Sequence, residues 1–112
     1  MTAEQTQVLE RIHALLEDER SLRELRMFGG ISIMVNERII FSVRKDGGLL
    51  VRVDEARSAE LLNRRGAGPA LLGRNSRAMG PGWLLVDPET VADDDELEAW
   101  FGFALEYNRN AG

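Results

Sequence analysis

The chain has 112 residues and a formal charge of −5, and 44% of its residues are hydrophobic and 29% charged. This length and composition predict one globular domain over residues 1–112 and exclude collagen-like and intrinsically disordered chains. The sequence has no cysteine, which excludes a disulfide framework, thiolate catalysis and a Cys-rich zinc site, and its single histidine leaves no histidine cluster for a metal.

The first predicted element is an amphipathic helix over residues 3–18. Its apolar face contains Val8, Ile12, Leu15 and Leu16. The start of the chain is polar and acidic, unlike a signal peptide, and no apolar run reaches the ~18 residues that span a bilayer. We therefore expect a cytoplasmic protein without a membrane segment.

Three β-rich runs follow, over residues 31–35, 39–43 and 49–53. The connections over 36–38 and 46–48 are short, and such connections join antiparallel neighbours because a parallel crossover needs about a dozen residues. These runs predict a three-stranded meander. An unpaired edge strand in such a sheet would allow a homodimer by edge pairing.

A short second helix is predicted over residues 55–65, between a cap at Asp54 and a left-handed terminus at Gly66. Residues 66–82 contain five glycines and two prolines, which predict a long loop with room for one short strand over 70–72. Residues 83–86 are typical of a final strand.

The last predicted helix begins at a capping box formed by Asp93 and Glu96. Its apolar positions recur at helical spacing and are Leu97, Trp100, Phe101, Ala104 and Leu105. Residues 108–112 are expected to fray. The predicted fold class is α+β: an antiparallel sheet of four to five short strands, beginning with the meander, packed against N-terminal, middle and C-terminal helices.

Several short stretches occur in an informative order. Met27-Phe28-Gly29-Gly30 stands at the entrance to the first predicted strand, and residues 45–52 lead out of the second. Trp83 opens the final strand, and residues 95–100, which end in Trp100, open the last helix. In this order and spacing, from about residue 20 to residue 108, the sequence resembles the N-terminal domain of the TfoX/Sxy family.

The resemblance implies a compact α+β domain of bacterial proteins whose characterised relatives regulate natural competence, acting on transcription with the cyclic-AMP receptor protein. Those regulators carry a second, helical domain, which we do not expect here because the sequence stops at Gly112. The family supplies no catalytic residue, metal or cofactor. Its motif residues are expected to be structural, with Phe28, Trp83 and Trp100 in the core and Gly29 and Gly30 allowing a sharp turn or close packing.

Charge is unevenly distributed along the chain. Residues 26–80 carry ten basic and five acidic side chains, whereas residues 81–112 carry one basic and eight acidic. The long loop and its borders contain Arg64, Arg65, Arg74 and Arg77, which are candidates for binding an anion or an acidic partner. The alternative is that acidic helices of the same molecule neutralise them. Because the whole chain is acidic, we expect no direct DNA binding by the domain alone.

Three further features favour structural roles. His13 lies at the edge of the first helix's apolar stripe without a nucleophile motif, so we expect it to be structural or solvent-facing. Asp93, Asp94 and Asp95 lack the spacing of an EF-hand and favour helix capping. Phe103 lies off the main stripe of the last helix, where an exposed aromatic side chain would favour a protein interface.

Two functional hypotheses follow. The first is a non-enzymatic regulatory or protein-interaction module whose partner is another protein, such as a transcription regulator. The second is binding of a small-molecule or nucleic-acid anion through the arginine-containing loop.

Overall fold

The computed structural model of the chain describes residues 2–16, 22–27, 30–72, 77–78 and 82–111. The helices are α1 (Ala3–Leu15), α2 (Ser58–Leu61), α3 (Pro88–Val91) and α4 (Asp94–Ala111), and a 3₁₀ turn covers Glu55–Arg57. The strands are β1 (Leu22–Met27), β2 (Gly30–Val35), β3 (Arg38–Val43), β4 (Leu49–Arg52), β5 (Ala67–Pro69), β6 (Leu71–Leu72), β7 (Arg77–Ala78) and β8 (Trp83–Val86). These elements confirm the α+β class.

Six strands form one antiparallel sheet in the order β1-β2-β3-β4-β8-β5. The predicted meander is confirmed as β2, β3 and β4, and the predicted final strand is confirmed as β8, which pairs with β4. The sheet exceeds the predicted four to five strands because β1 and β5 extend it at its two sides. The short strand expected over 70–72 appears as β6, which pairs with β7 in a separate ladder.

The sequence patterns did not predict β1, β5, β7 or α3, and of these β1 is the longest. Its residues include leucine, arginine, glutamate and methionine, which favour helices more than strands. In the structure β1 pairs with β2 along its whole length, from Leu22 opposite Val35 to Met27 opposite Gly30. Pairing within the sheet therefore outweighs local propensity in this segment.

Two predicted helices differ from the structure in extent. The first ends at Leu15, and residues 17–18 of its predicted span lie outside the described residues. The second is shorter than predicted: the Asp54 side chain accepts a bond from the Ala56 N–H, and a 3₁₀ turn then leads into the four-residue α2. Gly66 has the predicted left-handed conformation, with φ of +76°, but it lies in the turn that precedes β5.

The core lies between one face of the sheet and the two long helices. Helix α4 packs on β3 and β4, and α1 packs on β3. The predicted stripe of α4 is confirmed: Trp100 is fully buried, and the Phe101 ring lies 4.9 Å from that of Phe41. On α1 the prediction was wrong for Leu15, which is 43% exposed, whereas Leu16 is buried.

The end of α4 is anchored, so the prediction that it frays from residue 108 was wrong. The helix continues to Ala111, and Asn108 is only 3% exposed. Its Nδ2 donates a 2.9 Å hydrogen bond to the Val35 carbonyl oxygen at the end of β2. This bond fastens the last helix to the sheet.

Replacing Asn108 with alanine should lower the free energy of unfolding by about 1–3 kcal/mol, because a buried bond between α4 and the sheet is lost. Asn63→Ala is the matched control, since Asn63 is exposed and bonds only within its own turn, to Ala59. It should cost less than about 0.5 kcal/mol. Urea unfolding followed by tryptophan fluorescence measures both, and equal losses would contradict the anchoring role.

Gly66→Ala should lower the free energy of unfolding by more than about 2 kcal/mol. Its φ of +76° disfavours a side chain, and an added Cβ would stand 1.9 Å from the Thr90 Oγ1. Gly68→Ala is the control, because a Cβ there meets no described atom within 4 Å. Thermal unfolding monitored by circular dichroism should separate the two variants; coincident midpoints would refute the steric argument.

Candidate functional site

Arg64 and Arg65 lie against the acidic start of α4. The Arg64 Nη2 donates to both carboxylate oxygens of Glu96, at 3.4 and 3.3 Å. The Arg65 Nη2 donates to the Asp93 Oδ2 at 3.3 Å. Both guanidinium groups therefore form ion pairs within the molecule. This agrees with the alternative in which acidic helices of the same molecule neutralise the arginines.

Arg64 also covers aromatic rings of the core. Its guanidinium carbon stands 5.2 Å from the centroid of the Phe103 ring and 6.0 Å from that of Trp100. Phe103 meets Trp100 edge-on at 5.6 Å and is partly buried, so it is not the exposed aromatic side chain that would favour an interface. The planar guanidinium group of Arg64 thus packs on these two rings and covers them from solvent.

Arg57 extends the contact between the basic segment and α4. It donates to Glu60 at 2.8 Å and to Glu106 on α4, and its guanidinium carbon lies 4.9 Å from the Phe103 centroid. The hydrogen bonds to Glu60 and then Glu106 raise the pKa of Arg57. We call Arg57, Arg64 and Arg65 the arginine cluster; it joins the middle of the chain to the last helix.

The other two candidate arginines are not shown to join this cluster. Arg74 lies outside the described residues, and for Arg77 the backbone lies in β7, opposite Leu72. The hypothesis that all four arginines bind an anion or an acidic partner therefore stays a prediction.

The acidic run at residues 93–95 has the capping role that was predicted. The Asp93 Oδ1 accepts bonds from the backbone N–H groups of Asp95 and Glu96. The Glu96 N–H, followed by the Arg65 side chain and the Asp95 N–H, lowers the pKa of Asp93. The Glu96 carboxylate, which would complete a capping box, binds Arg64 instead.

A shallow cleft of about 410 Å³ opens beside the β3–β4 turn. Its lining residues are Arg44, Asp46, Gly48, Gly66–Pro69 and Leu85–Pro88. Both carboxylates in it have structural partners: Asp46 accepts from the Gly48 N–H, and Asp87 accepts from the Thr90 N–H and caps α3. Bonds from the Thr90 side chain and backbone lower the pKa of Asp87. Only Arg44 offers this cleft a charged group without a partner among the described residues.

The two edges of the sheet differ in their capacity to accept another strand. At one edge β5 has three residues, ending in Pro69, which has no N–H to donate. At the other edge β1 has six residues, and the four side chains from Arg23 to Arg26 are all exposed. Among the residues that the structure describes, the β1 edge therefore presents a longer row of unpaired backbone donors and acceptors.

The side chains of β1 combine an apolar centre with charges. Leu25 is 36% exposed, comparable with Leu62 at 39%. Glu24 contacts His13 of α1, and the Arg23 Nη1 donates to the Glu37 Oε2 at 2.6 Å. His13 thus has the structural, solvent-facing position that was expected. Arg26 has no side-chain partner among the described residues.

Sequence reasoning missed β1 as a candidate surface because it missed the strand. The available signal was the glycine pair at residues 29–30, which begins two residues after Met27 and could have marked a tight connection between strands.

The motif residues take structural positions where they are described. An added Cβ at Gly30 would stand 2.4 Å from the Val43 carbonyl oxygen, so this glycine allows close packing, as predicted. Trp100 is in the core, but Trp83 is only partly buried and lies beside Arg52, whose guanidinium carbon is 5.3 Å from its ring centroid. Met27 ends β1, and Phe28 and Gly29 lie outside the described residues.

The part of the chain that the structure describes contains neither a metal-binding cluster nor a membrane-spanning helix. No group of three or more His, Cys, Asp or Glu side chains there could hold a metal ion. No helix there is long and apolar enough to cross a bilayer.

The chain matches a known protein family over most of its length. Residues 14–107 match the family model described as the TfoX N-terminal domain. The matched range contains the whole sheet, the arginine cluster and most of α4. No curated protein matches the chain.

Arg64→Ala should lower the free energy of unfolding by about 1–3 kcal/mol, because Glu96 loses its cation and Trp100 and Phe103 lose their cover. Arg65→Ala should cost less than about 0.5 kcal/mol, since its side chain is 64% exposed. Arg64→Lys keeps the charge without the planar contact and should fall between them. Denaturant unfolding measures all three; a cost for Arg65→Ala as large as that for Arg64→Ala would contradict this ranking.

Proposed function

The chain belongs to the TfoX N-terminal domain family, and from this we propose that it is a non-enzymatic protein-interaction module that regulates transcription in the cytoplasm. The resemblance to competence regulators supports the regulatory role. The proposed action is through a partner protein and not through direct contact with DNA.

The open edge at β1 is the observation that carries this proposal. A partner strand placed there would continue a sheet that already has six strands, and its backbone would bond to groups that β2 leaves free. Leu25 would supply an apolar contact, and Arg23, Glu24 and Arg26 would supply charges that select the partner. Such strand addition is a common way for one protein to recognise another.

The acidic charge of the last helix supports a protein partner over DNA. Helix α4 begins with Asp94, Asp95 and Glu96, and residues 81–112 carry eight acidic side chains. Arg57 and Arg64 are engaged by carboxylates of this helix, and Arg65 by the preceding Asp93. This face would repel a phosphate backbone.

The anion-binding alternative has weaker support from the structure. Arg64 and Arg65, two of its four proposed residues, would have to leave Glu96 and Asp93 to bind an external anion. The cost of breaking those pairs would reduce the affinity for any phosphate or carboxylate.

Leu25→Lys should abolish regulation while the domain remains folded. The substitution places a charge at the centre of the β1 edge, where a partner strand would have to desolvate it. In the native host, deletion of the gene should change the levels of a set of transcripts. The strain that carries Leu25→Lys should show changes in the same transcripts and in the same direction. RNA sequencing of the deletion and variant strains measures the effect.

Leu62→Lys is the control, because Leu62 has nearly the same exposure but follows α2, away from the sheet edge. The strain that carries Leu62→Lys should have the same transcript levels as the wild-type strain. A wild-type transcript profile for Leu25→Lys, at normal protein level, would disprove regulation through this edge.

A further inference from the structure

We propose that the strand recognised by β1 is the β1 of a second copy of this chain, paired antiparallel across a two-fold axis through Leu25. The proposal rests on the function proposed above, since it names the partner of the same edge. It joins two six-stranded sheets into one continuous sheet, with the same surface used on both sides.

Geometry limits the registers that such a pair can adopt. Along an edge strand, the backbone N–H and C=O of alternate residues point outward, and the others point to the neighbouring strand. A two-fold axis midway between two successive residues would place an outward residue opposite an inward one, which cannot form the ladder. The axis must therefore pass through one residue, which then faces its own copy.

Charge selects Leu25 among the four exposed positions of β1. An axis through Arg23 or Arg26 places two arginines face to face, and an axis through Glu24 places two carboxylates face to face. Like charges in directly opposite positions destabilise a strand pair. With the axis through Leu25, two leucines meet instead.

The same register makes the flanking charges complementary. Glu24 contacts His13 through its Oε1 within the monomer, which leaves Oε2 for a second partner. In this register Glu24 stands opposite Arg26 of the second copy, and symmetry repeats this pair on the other side of the axis. Directly opposite side chains have Cβ atoms about 5 Å apart, close enough for an ion pair. Arg26 has no partner among the described side chains of the monomer, so this pairing would give its guanidinium a carboxylate.

The opposite edge of the sheet, at β5, is a poorer site for pairing with a second copy than the β1 edge. Strand β5 is three residues long, and Pro69 removes one of its donors. A head-to-tail contact of β1 with β5 would also generate open chains of molecules and not a closed dimer. Pairing of β1 with β1 uses the longer edge of both copies and gives a closed dimer.

A charge-exchange experiment tests the register. Glu24→Arg alone and Arg26→Glu alone should each weaken the homodimer by ~10-fold or more, because each places two like-charged pairs across the axis. An equimolar mixture of the two variants should restore dimerisation, since one strand is then basic at both positions and the other acidic at both. Sedimentation velocity over a concentration series measures the dissociation constants, with one variant fluorescently labelled in the mixture.

Matched reversals elsewhere provide the control. Glu89→Arg on α3 and Lys45→Glu in the turn between β3 and β4 change the net charge equally, at exposed side chains that form no ion pair with β1 among the described residues. They should leave the dissociation constant within ~2-fold of the wild type. Circular dichroism spectra like that of the wild type establish that each edge variant is folded.

The two proposals fail in different ways. A wild-type protein that stays monomeric at every concentration, or a mixture that associates no better than either variant alone, would overturn the homodimer. Loss of regulation in Leu25→Lys with a monomeric wild type would then assign the edge to a different protein. Dimerisation that follows the charge rule, with normal transcripts in Leu25→Lys, would support the dimer and reject the regulatory function.

Discussion

Two long helices cover a sheet that is wider than they are. Six strands spaced about 4.8 Å apart place the outer two about 24 Å from each other, whereas two helices about 10 Å wide cover about 20 Å. Helix α4 packs on β3 and β4, and α1 packs on β3, so both long helices cover the middle strands of the sheet. Strand β1 forms one margin of this sheet, and its four side chains from Arg23 to Arg26 are exposed. The open edge is thus a property of the order of the strands in the sheet.

The arginines that suggest an anion-binding site in the sequence form ion pairs within the molecule in the fold. The basic middle of the chain meets the acidic last helix, and Arg57, Arg64 and Arg65 are engaged there. Only the tertiary structure could distinguish this internal neutralisation from an external anion site, because both interpretations have the same residue pattern. Arg64 adds a packing role over Trp100, which charge counting does not detect.

Most of the central architecture could be predicted from local patterns. The meander follows from three apolar runs with short connections, and the stripe of α4 from helical spacing that ends in a buried Trp100. Strand β1 could not be predicted, because its helix-forming side chains become a strand only through pairing with β2. The anchoring of Asn108 was likewise invisible, since a polar residue near a chain end gives no sign of a buried bond to Val35. The candidate edge was missed for the same reason as its strand.

Charged residues on an edge strand usually protect it against indiscriminate pairing. On β1 their order does more than this, because Glu24 and Arg26 flank Leu25 with opposite signs. Any symmetric register centred on a charged residue opposes like charges, while the one centred on Leu25 opposes unlike charges. The same side chains can therefore exclude most strands and admit one in a defined alignment. In a small domain in which several other charges form ion pairs and helix caps, such an edge supplies specificity without a deep pocket.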